Sequence, residues 1–181
     1  MAGWRATREA MRADRARLRA YHGRIPGARP EKLYLHPGYA AIWLHRIAHY
    51  LYANRWRRAA QGVRFLNLVA TGADFDPACA IGGGMVIPNP QTVTVHATIG
   101  VNCSLMAQTS LGWPAAHAGA DRNRAQGRTV LADDVELGPG ALVLGPVRIG
   151  HRVRIGARCL VTEDVPDDTE ILPLEWRMTR L

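Results

Sequence analysis

The chain has 181 residues, of which 48% are hydrophobic, and it carries a formal net charge of +8. This length leaves room for one domain with a small addition. No apolar run approaches the roughly 18 residues that a membrane-spanning helix needs. The N-terminal stretch also lacks the apolar core of a signal peptide, so we expect a cytoplasmic protein.

The positive charge is concentrated towards the N-terminus. Residues 1–70 have a net charge of +11, whereas residues 71–181 have a net charge of −3. Such a segment can attract nucleic acid, anionic lipid or an acidic partner protein, or it can simply form solvated helix faces. Because no zinc-finger spacing or RNA-binding signature accompanies it, we expect neither a nucleic-acid nor a membrane partner.

The first 72 residues are predicted to form a helical region. A first helix is expected over residues 2–22, with an apolar stripe that Thr7 and Asp14 interrupt. A loop rich in Pro and Gly covers residues 23–32, and a second helix should follow Pro37 and continue to about residue 54. A third helix with an apolar pattern should run from about residue 56 to residue 69, with Gly72 as its C-cap.

Beyond Gly72 the hydrophobic pattern has a period of six residues. A period of six fits neither an α-helix nor a flat strand, but it fits a triangular coil with three short strands per 18-residue turn. One large side chain per strand would point inward, and each such burial contributes roughly 1.5–3 kcal/mol. The 13 large positions are Phe75, Ile81, Ile87, Val93, Ile99, Leu105, Leu111, Leu131, Leu137, Val143, Ile149, Ile155 and Val161.

A second inward position lies two residues before each large one, at the corner of the coil. Apart from Met85 and Gln91, its residues are small or β-branched. Cys79, Cys103 and Cys159 all fall there, so we expect structural thiols with neither a disulfide nor a nucleophile among them.

The repeat is interrupted once, between Leu111 and Leu131. We therefore expect residues 112–130 to leave the coil as a protruding loop, and such loops commonly carry function. The predicted organisation is a helical region over residues 1–72, a coil over residues 73–166 and a tail over residues 167–181.

Four segments between about Leu35 and Val165 together resemble the serine acetyltransferase family and related polysaccharide O-acetyltransferases. They are YAAIWLHRIAHYLY (39–52), DFDPACAIGGGMVI (74–87), QTSLGW (108–113) and IGARCLVTEDVP (155–166). The resemblance implies an α+β fold in which an N-terminal helical segment precedes a left-handed parallel β-helix with one protruding loop. It also implies acetylation of a hydroxyl by acetyl-CoA, in sites between the subunits of a trimer.

In that family an Asp–His dyad deprotonates the hydroxyl. The resemblance carries the aspartate onto Asp74 and the histidine onto Asn89, within the sequence PNP. An asparagine amide cannot accept a proton. Two histidines are alternative bases: His96, facing outward one strand further along the coil, and His117, in the protruding loop. Each could equally be an exposed or packing histidine.

Other positions follow from the same resemblance. The Arg–His pair that holds the substrate carboxylate in the family falls on Gly127 and Arg128. The spacing of His45 and His49 suits a helical metal pair, but the family's structural helix has the same pattern, so we expect no metal site. The candidates for binding the acyl thioester are Gly112, Trp113, Ala141, Ala157 and Arg158, with Arg152 and Arg154 as further phosphate ligands. The alternative for these residues is turn glycines, corner alanines and solvated arginines.

The sequence therefore predicts an acyltransferase that uses a thioester as co-substrate and binds no cofactor. The donor would be acyl-CoA or an acidic carrier protein, and the acceptor a hydroxyl or amine of a small amino-acid-like molecule, in a specialised biosynthetic pathway. We expect a homotrimer or a dimer of trimers. The alternative is a catalytically degenerate family member that acts as a binding or scaffold protein.

Overall fold

The N-terminal part of the protein is helical. A computed structural model describes residues 3–23, 36–113 and 128–173. Its helices are α1 (Trp4–His22), α2 (Pro37–Ala53) and α3 (Arg57–Thr71). His36 caps α2, because its Nδ1 accepts a hydrogen bond of 3.2 Å from the Gly38 amide. Helix α3 ends at Gly72, whose φ of 75° is left-handed, which confirms the predicted C-cap.

The remainder of the described chain is a coil of short parallel strands. The strands are β1 (Asp74–Phe75), β2 (Thr94–Val95), β3 (Ala97–Ile99), β4 (Ser104–Leu105), β5 (Ser110–Trp113), β6 (Thr129–Leu131), β7 (Glu136–Leu137), β8 (Leu142–Leu144), β9 (Arg148–Ile149), β10 (Arg154–Ile155), β11 (Leu160–Val161) and β12 (Glu170–Ile171). Sheet I has the order β1-β2-β5-β8-β11, sheet II β3-β6-β9, and sheet III β4-β7-β10-β12. From β2 to β11 the chain visits the three sheets in turn, and an isolated bridge between Ile149 and Val165 takes the place of a strand of sheet II before β12. This order confirms the predicted three-sided coil.

The inward positions form one continuous core. Every one of the 13 large residues predicted from the period of six is at most 7% exposed. Among the corner positions that the structure describes, all but Gln91 are buried. The three cysteines are buried free thiols, and burial raises the pKa of both Cys79 and Cys103 to about 11.

The predicted register is wrong at one place, the start of the second coil. Val95, and not Val93, pairs with Phe75 below and with Leu111 above. Val93 is instead buried at the corner two residues earlier, and Gln91 is exposed in the preceding turn. The turn that enters β2 therefore contains two more residues than the repeat allows, and the corner after β2 contains two fewer.

Arginines attach the helical region to the coil. Arg46 of α2 is buried, pairs with Asp14 of α1 through bonds of 3.1 Å, and donates to the Ile81 and Gly82 carbonyl oxygens. Asp14 Oδ1 also accepts from the Met85 amide at 2.8 Å. The polar residue that interrupts the apolar stripe of α1 is thus a buried anchor, whereas Trp4 on that stripe is 47% exposed.

Helix α3 packs its polar face against the rest of the protein. Asn67 and Thr71 are buried, while Phe65, Leu66 and Val69 are more than half exposed in the described structure. The apolar pattern of this helix therefore does not mark its buried face. None of the helices in the described segments combines the length and apolar character needed to cross a bilayer.

Candidate functional site

Three residues stack at the end of sheet I, in successive coils. Because Phe75, Val95 and Leu111 are paired inward-facing residues, the residues that follow them occupy one outer column. The Asp76 amide donates to the Val95 carbonyl at 3.1 Å, and the His96 amide donates to the Leu111 carbonyl at 2.9 Å. We call this column of Asp76, His96 and Gly112 the Asp76–His96 corner.

The carboxylate of Asp76 is fixed beside the imidazole of His96. Asp76 Oδ1 accepts a hydrogen bond of 2.9 Å from the Ala78 amide. Asp76 Oδ2 lies 3.9 Å from His96 Nδ1, and the two side chains are 25% and 26% exposed. A partly exposed imidazole beside a held carboxylate is an arrangement suited to proton transfer.

The neighbouring aspartate is held by an arginine. Asp74 accepts two hydrogen bonds from Arg64 of α3, from Nε at 2.5 Å and from the terminal nitrogen at 2.8 Å. This pairing lowers the pKa of the Asp74 carboxyl below its usual value, and the nearby His96 acts in the same direction. Both carboxylate oxygens of the predicted dyad aspartate are therefore engaged by Arg64.

Gly112 lies directly against the backbone of His96. Its φ is 73°, and a Cβ at this position would be 2.3 Å from the His96 carbonyl oxygen. The register of β5 shifts here, between Leu111 and Trp113. Only glycine accommodates both the backbone conformation and the close approach, so this member of the predicted thioester set has a structural reason to be glycine.

The chain returns from the protruding loop to the same region. Arg128 is exposed and donates a hydrogen bond of 3.1 Å to the carbonyl oxygen of Ala78, two residues after Asp76. His117 and Gly127, which the sequence also marked, lie outside the described residues, as does the tail from residue 174. An exposed guanidinium therefore lies at the edge of the Asp76–His96 corner.

Asn89 has a turn-forming role in the described structure. Its side chain is exposed, and its Oδ1 accepts a hydrogen bond of 3.1 Å from the Gln91 amide. This turn leads into β2, whereas His96 follows β2. Asn89 and His96 therefore lie at opposite ends of that strand of sheet I.

Three of the other predicted thioester residues, Ala141, Ala157 and Arg158, lie at the turns between sheets III and I. Ala141 is fully buried, while Ala157 and Arg158 are exposed. These turns precede the strands of sheet I, so they lie away from the Asp76–His96 corner, which follows those strands.

The remaining predicted ligands lie elsewhere on the coil. Trp113 ends β5, directly after Gly112. Arg152 lies in the turn between sheets II and III and pairs with Asp168, and Arg154 lies in β10, 3.5 Å from Glu136.

The two histidines of α2 have structural surroundings. His45 is buried, and burial lowers the pKa of its imidazole well below the usual value. His49 Nδ1 lies 2.9 Å from the Pro77 carbonyl oxygen, which fixes the residue after Asp76. Among the residues that the structure describes, no group of three or more His, Cys, Asp or Glu side chains could hold a metal ion.

Sequence reasoning did not single out Asp76 or Arg64. Asp76 was detectable, because in DFD an inward Phe75 places both aspartates outward. Arg64 was harder to find, since it lies among 13 arginines in the first 70 residues. It lies three residues before Asn67 on the same helix face, but the burial of Asn67 is seen only in the structure.

Comparison with known proteins gives the family. No family model matches the chain. The chain is 32% identical to a serine acetyltransferase of Synechococcus elongatus, over 90% of the chain and 66% of that relative. It is 30% identical to a serine acetyltransferase of Mycobacterium tuberculosis, over 95% of the chain and 80% of that relative. The chain belongs to the serine acetyltransferase family.

Solved structures of the family agree with this assignment. Serine acetyltransferase isoform 3 of Entamoeba histolytica, in complex with cysteine, superposes with a TM-score of 0.83 and 26% identity, covering 97% of this chain and 61% of that one. Soybean serine acetyltransferase complexed with serine gives a TM-score of 0.80 and 29% identity, covering 96% of this chain and 70% of that one. Family members are acyltransferases by name, and these neighbours do not favour a scaffold protein.

Proposed function

We propose that this member of the serine acetyltransferase family is an acyltransferase that moves an acyl group from a thioester to the hydroxyl of a small amino-acid-like acceptor. The observation that carries the proposal is the Asp76–His96 corner, where an aspartate and a histidine lie 3.9 Å apart on the coil of a family member. A hydroxyl is a weak nucleophile at neutral pH, and a positioned imidazole supplies the base that it needs.

An amino-acid-like acceptor fits the charge at this corner. Arg128 is exposed there and directs one terminal nitrogen to Ala78. The remaining donors of its guanidinium could bind an acceptor carboxylate. The structural relatives in complex with serine and with cysteine support an acceptor of this size and chemistry.

The donor is proposed to be acyl-CoA. The related structures include a serine acetyltransferase in complex with CoA. Arg158, exposed on its turn, is a candidate ligand for the CoA phosphates. The exposed arginines of α1, Arg5, Arg8 and Arg12, would equally suit an acidic carrier protein, and that donor would belong to a specialised biosynthetic pathway.

The proposed assembly is a homotrimer of left-handed coils. Its support is the exposed apolar surface, with Phe65 and Val69 of α3 at 67% and 69% exposure and the stacked Leu142 and Leu160 of sheet I also exposed. Surfaces of this kind are typically covered by a partner. A monomer in size-exclusion chromatography with light scattering would contradict the assembly, and a crystal structure would give the hand of the coil.

The activity is tested by acceptor-dependent release of free thiol. The protein is given acetyl-CoA, or an acetylated carrier protein, with L-serine and a panel of small hydroxyl- and amine-bearing acceptors. We expect release with a carboxylate-bearing hydroxyl acceptor, and a raised KM for that acceptor in Arg128→Met. Thiol release that never exceeds the rate of hydrolysis without acceptor, from either donor, would contradict an acyltransferase.

A further inference from the structure

We infer that His96 is the general base of this enzyme and that Asp76 is its positioning residue, so that the working dyad has moved from positions 74 and 89 to positions 76 and 96. This inference rests on the proposed acyltransferase function and names the residues that perform it. Four observations carry it: the register of β2, the fixed carboxylate, the engagement of Asp74 and the turn role of Asn89.

The first observation is the register. With Val95 in the inward column, Asp76 faces His96 in the neighbouring coil. If Val93 occupied the column, as the repeat of six predicts, Asp76 would face Thr94. The two-residue displacement at the start of the second coil therefore brings the carboxylate and the imidazole together.

The second observation is that the carboxylate is held in place. Asp76 Oδ1 is occupied by the Ala78 amide, which leaves Oδ2 towards His96 Nδ1. The following residues are fixed by His49 at the Pro77 carbonyl and by Arg128 at the Ala78 carbonyl. An anchored carboxylate beside Nδ1 favours the tautomer that carries its proton on Nδ1, and Nε2 then has the lone pair for a base.

The third and fourth observations argue against Asp74 and Asn89 as the catalytic pair. Arg64 engages both oxygens of Asp74, and Asn89 has no basic nitrogen and closes a turn. Of the described charged groups, Asp76 lies beside His96 and Asp74 is near enough for His96 to act on it, while Arg64 and Arg128 act on the neighbouring Cys79. Gly112 above His96 contributes no side chain.

Acyl transfer can be completed with His96 and Asp76 as the only participating side chains. His96 Nε2 takes the proton of the acceptor hydroxyl as its oxygen attacks the thioester carbonyl carbon and forms the new C–O bond. The tetrahedral intermediate then breaks its C–S bond. The departing thiolate receives the proton from the imidazolium, which gives the acyl ester and the free thiol and restores neutral His96.

The chain offers a matched control for the dyad. His151 Nδ1 lies 3.6 Å from Asp133 Oδ2, with the side chains 46% and 41% exposed, on another edge of the same coil. Asp133 Oδ1 also accepts from a backbone amide, that of Val101 at 2.8 Å. The control pair thus has the same residue types at a similar separation, but it lies between sheets II and III, and its His151 Nδ1 also accepts a hydrogen bond of 3.3 Å from the Asp133 amide.

The test is steady-state kinetics of thiol release from acetyl-CoA with the acceptor found for the wild-type protein. We expect His96→Gln to lower kcat by about 10²–10⁴-fold with KM for acetyl-CoA changed by less than about threefold. His151→Gln should stay within about twofold of the wild type, since it touches no reacting group. Equal melting temperatures would show that both variants are folded.

Asp76→Asn provides a second measurement, which should not change if Asp76 only stabilised the fold. The variant keeps an oxygen for the Ala78 amide but removes the carboxylate that orients the imidazole, so kcat should fall while KM for acetyl-CoA changes by less than about threefold. Asp133→Asn should change neither kcat nor KM by more than about twofold. This variant keeps His96, so it tests the dyad even if His96→Gln melts early.

The outcomes separate the two proposals. Wild-type turnover that His96→Gln removes, with kcat lowered and KM kept in Asp76→Asn, supports the dyad. Wild-type turnover that a folded His96→Gln retains, or an unchanged kcat in Asp76→Asn, overturns the dyad and leaves the acyltransferase standing. Absence of wild-type turnover with every donor and acceptor overturns both.

Discussion

Replacing Arg64 by methionine removes the charge that holds Asp74, and it leaves the helix nearly undisturbed. Methionine and arginine have similar helix propensities, so the change isolates the ion pair at the junction of α3 and β1. The pair is bidentate, and its side chains are 25% and 26% exposed. It is therefore neither a surface pair nor a fully buried one.

The expected loss of stability lies between the values for those two classes. Exposed pairs contribute 0.2–1 kcal/mol and breaking a buried pair costs 3–5 kcal/mol, so we expect Arg64→Met to lower the free energy of unfolding by about 1–3 kcal/mol at pH 7. Arg64 lowers the pKa of the folded Asp74 carboxyl. The pair therefore stabilises the protein fully above about pH 4, and this contribution is lost as the pH falls and Asp74 becomes protonated.

The assay is urea unfolding at one fixed protein concentration, at pH 7 and at about pH 3.5. The difference between wild type and Arg64→Met should be clear at pH 7 and smaller at the acid pH. Arg152→Met is the matched control, because Arg152 makes the same bidentate pair with Asp168 at 2.6 and 2.7 Å but on the open surface. If the two variants lose equally little at pH 7, burial does not strengthen the Asp74 pair and the reasoning fails.

Three further changes test the packing of the chain. Asp14→Ala should cost about 3–5 kcal/mol in urea unfolding because it leaves a buried arginine unpaired, whereas Glu9→Ala, on the exposed side of α1, should leave the unfolding midpoint unchanged. Gly112→Ala should lose about 1–3 kcal/mol from its left-handed backbone alone, with a further loss from the clash with the His96 carbonyl in the preceding coil, and a thermal midpoint equal to wild type would contradict this. Gly62→Ala should raise the free energy of unfolding by about 0.5–1 kcal/mol, since Gly62 lies inside α3 and a Cβ added there would meet no other part of the protein within 4 Å.

The fold was predictable because its repeat is simple and mostly uninterrupted. A large apolar residue every six positions specifies a coil core, and each of the predicted residues is buried. The error at Val93 has a physical origin. The turn before β2 is two residues longer and the corner after it is two residues shorter, so the spacing from Ile87 to Ile99 is still a multiple of six. Because the two extra residues before β2 are offset by two fewer after it, the period of six is unchanged on either side, and the pattern does not reveal the shift.

The helical region was predicted in its elements but not in its contacts. Hydrophobic patterns give the bounds of α1 and α3, yet the contacts of these helices depend on buried polar groups. Asp14 interrupts an apolar stripe because it anchors α1 to α2 and to the coil, and Asn67 of α3 is buried and donates to the Ala41 carbonyl at 2.9 Å. Such pairs join residues far apart in the chain, and no local pattern reveals them.

The register of β2 determines which side chain lies beside Asp76. The resemblance assigned the dyad to Asp74 and Asn89, and Asn89 lies within the turn that carries the two extra residues. The same displacement removes Thr94 from the position above Asp76 and puts His96 there. In this register the imidazole that faces Asp76 comes from the residue after β2 and not from the turn before it. Because Arg64 keeps Asp74 occupied, the second aspartate of DFD is the one left to position an imidazole.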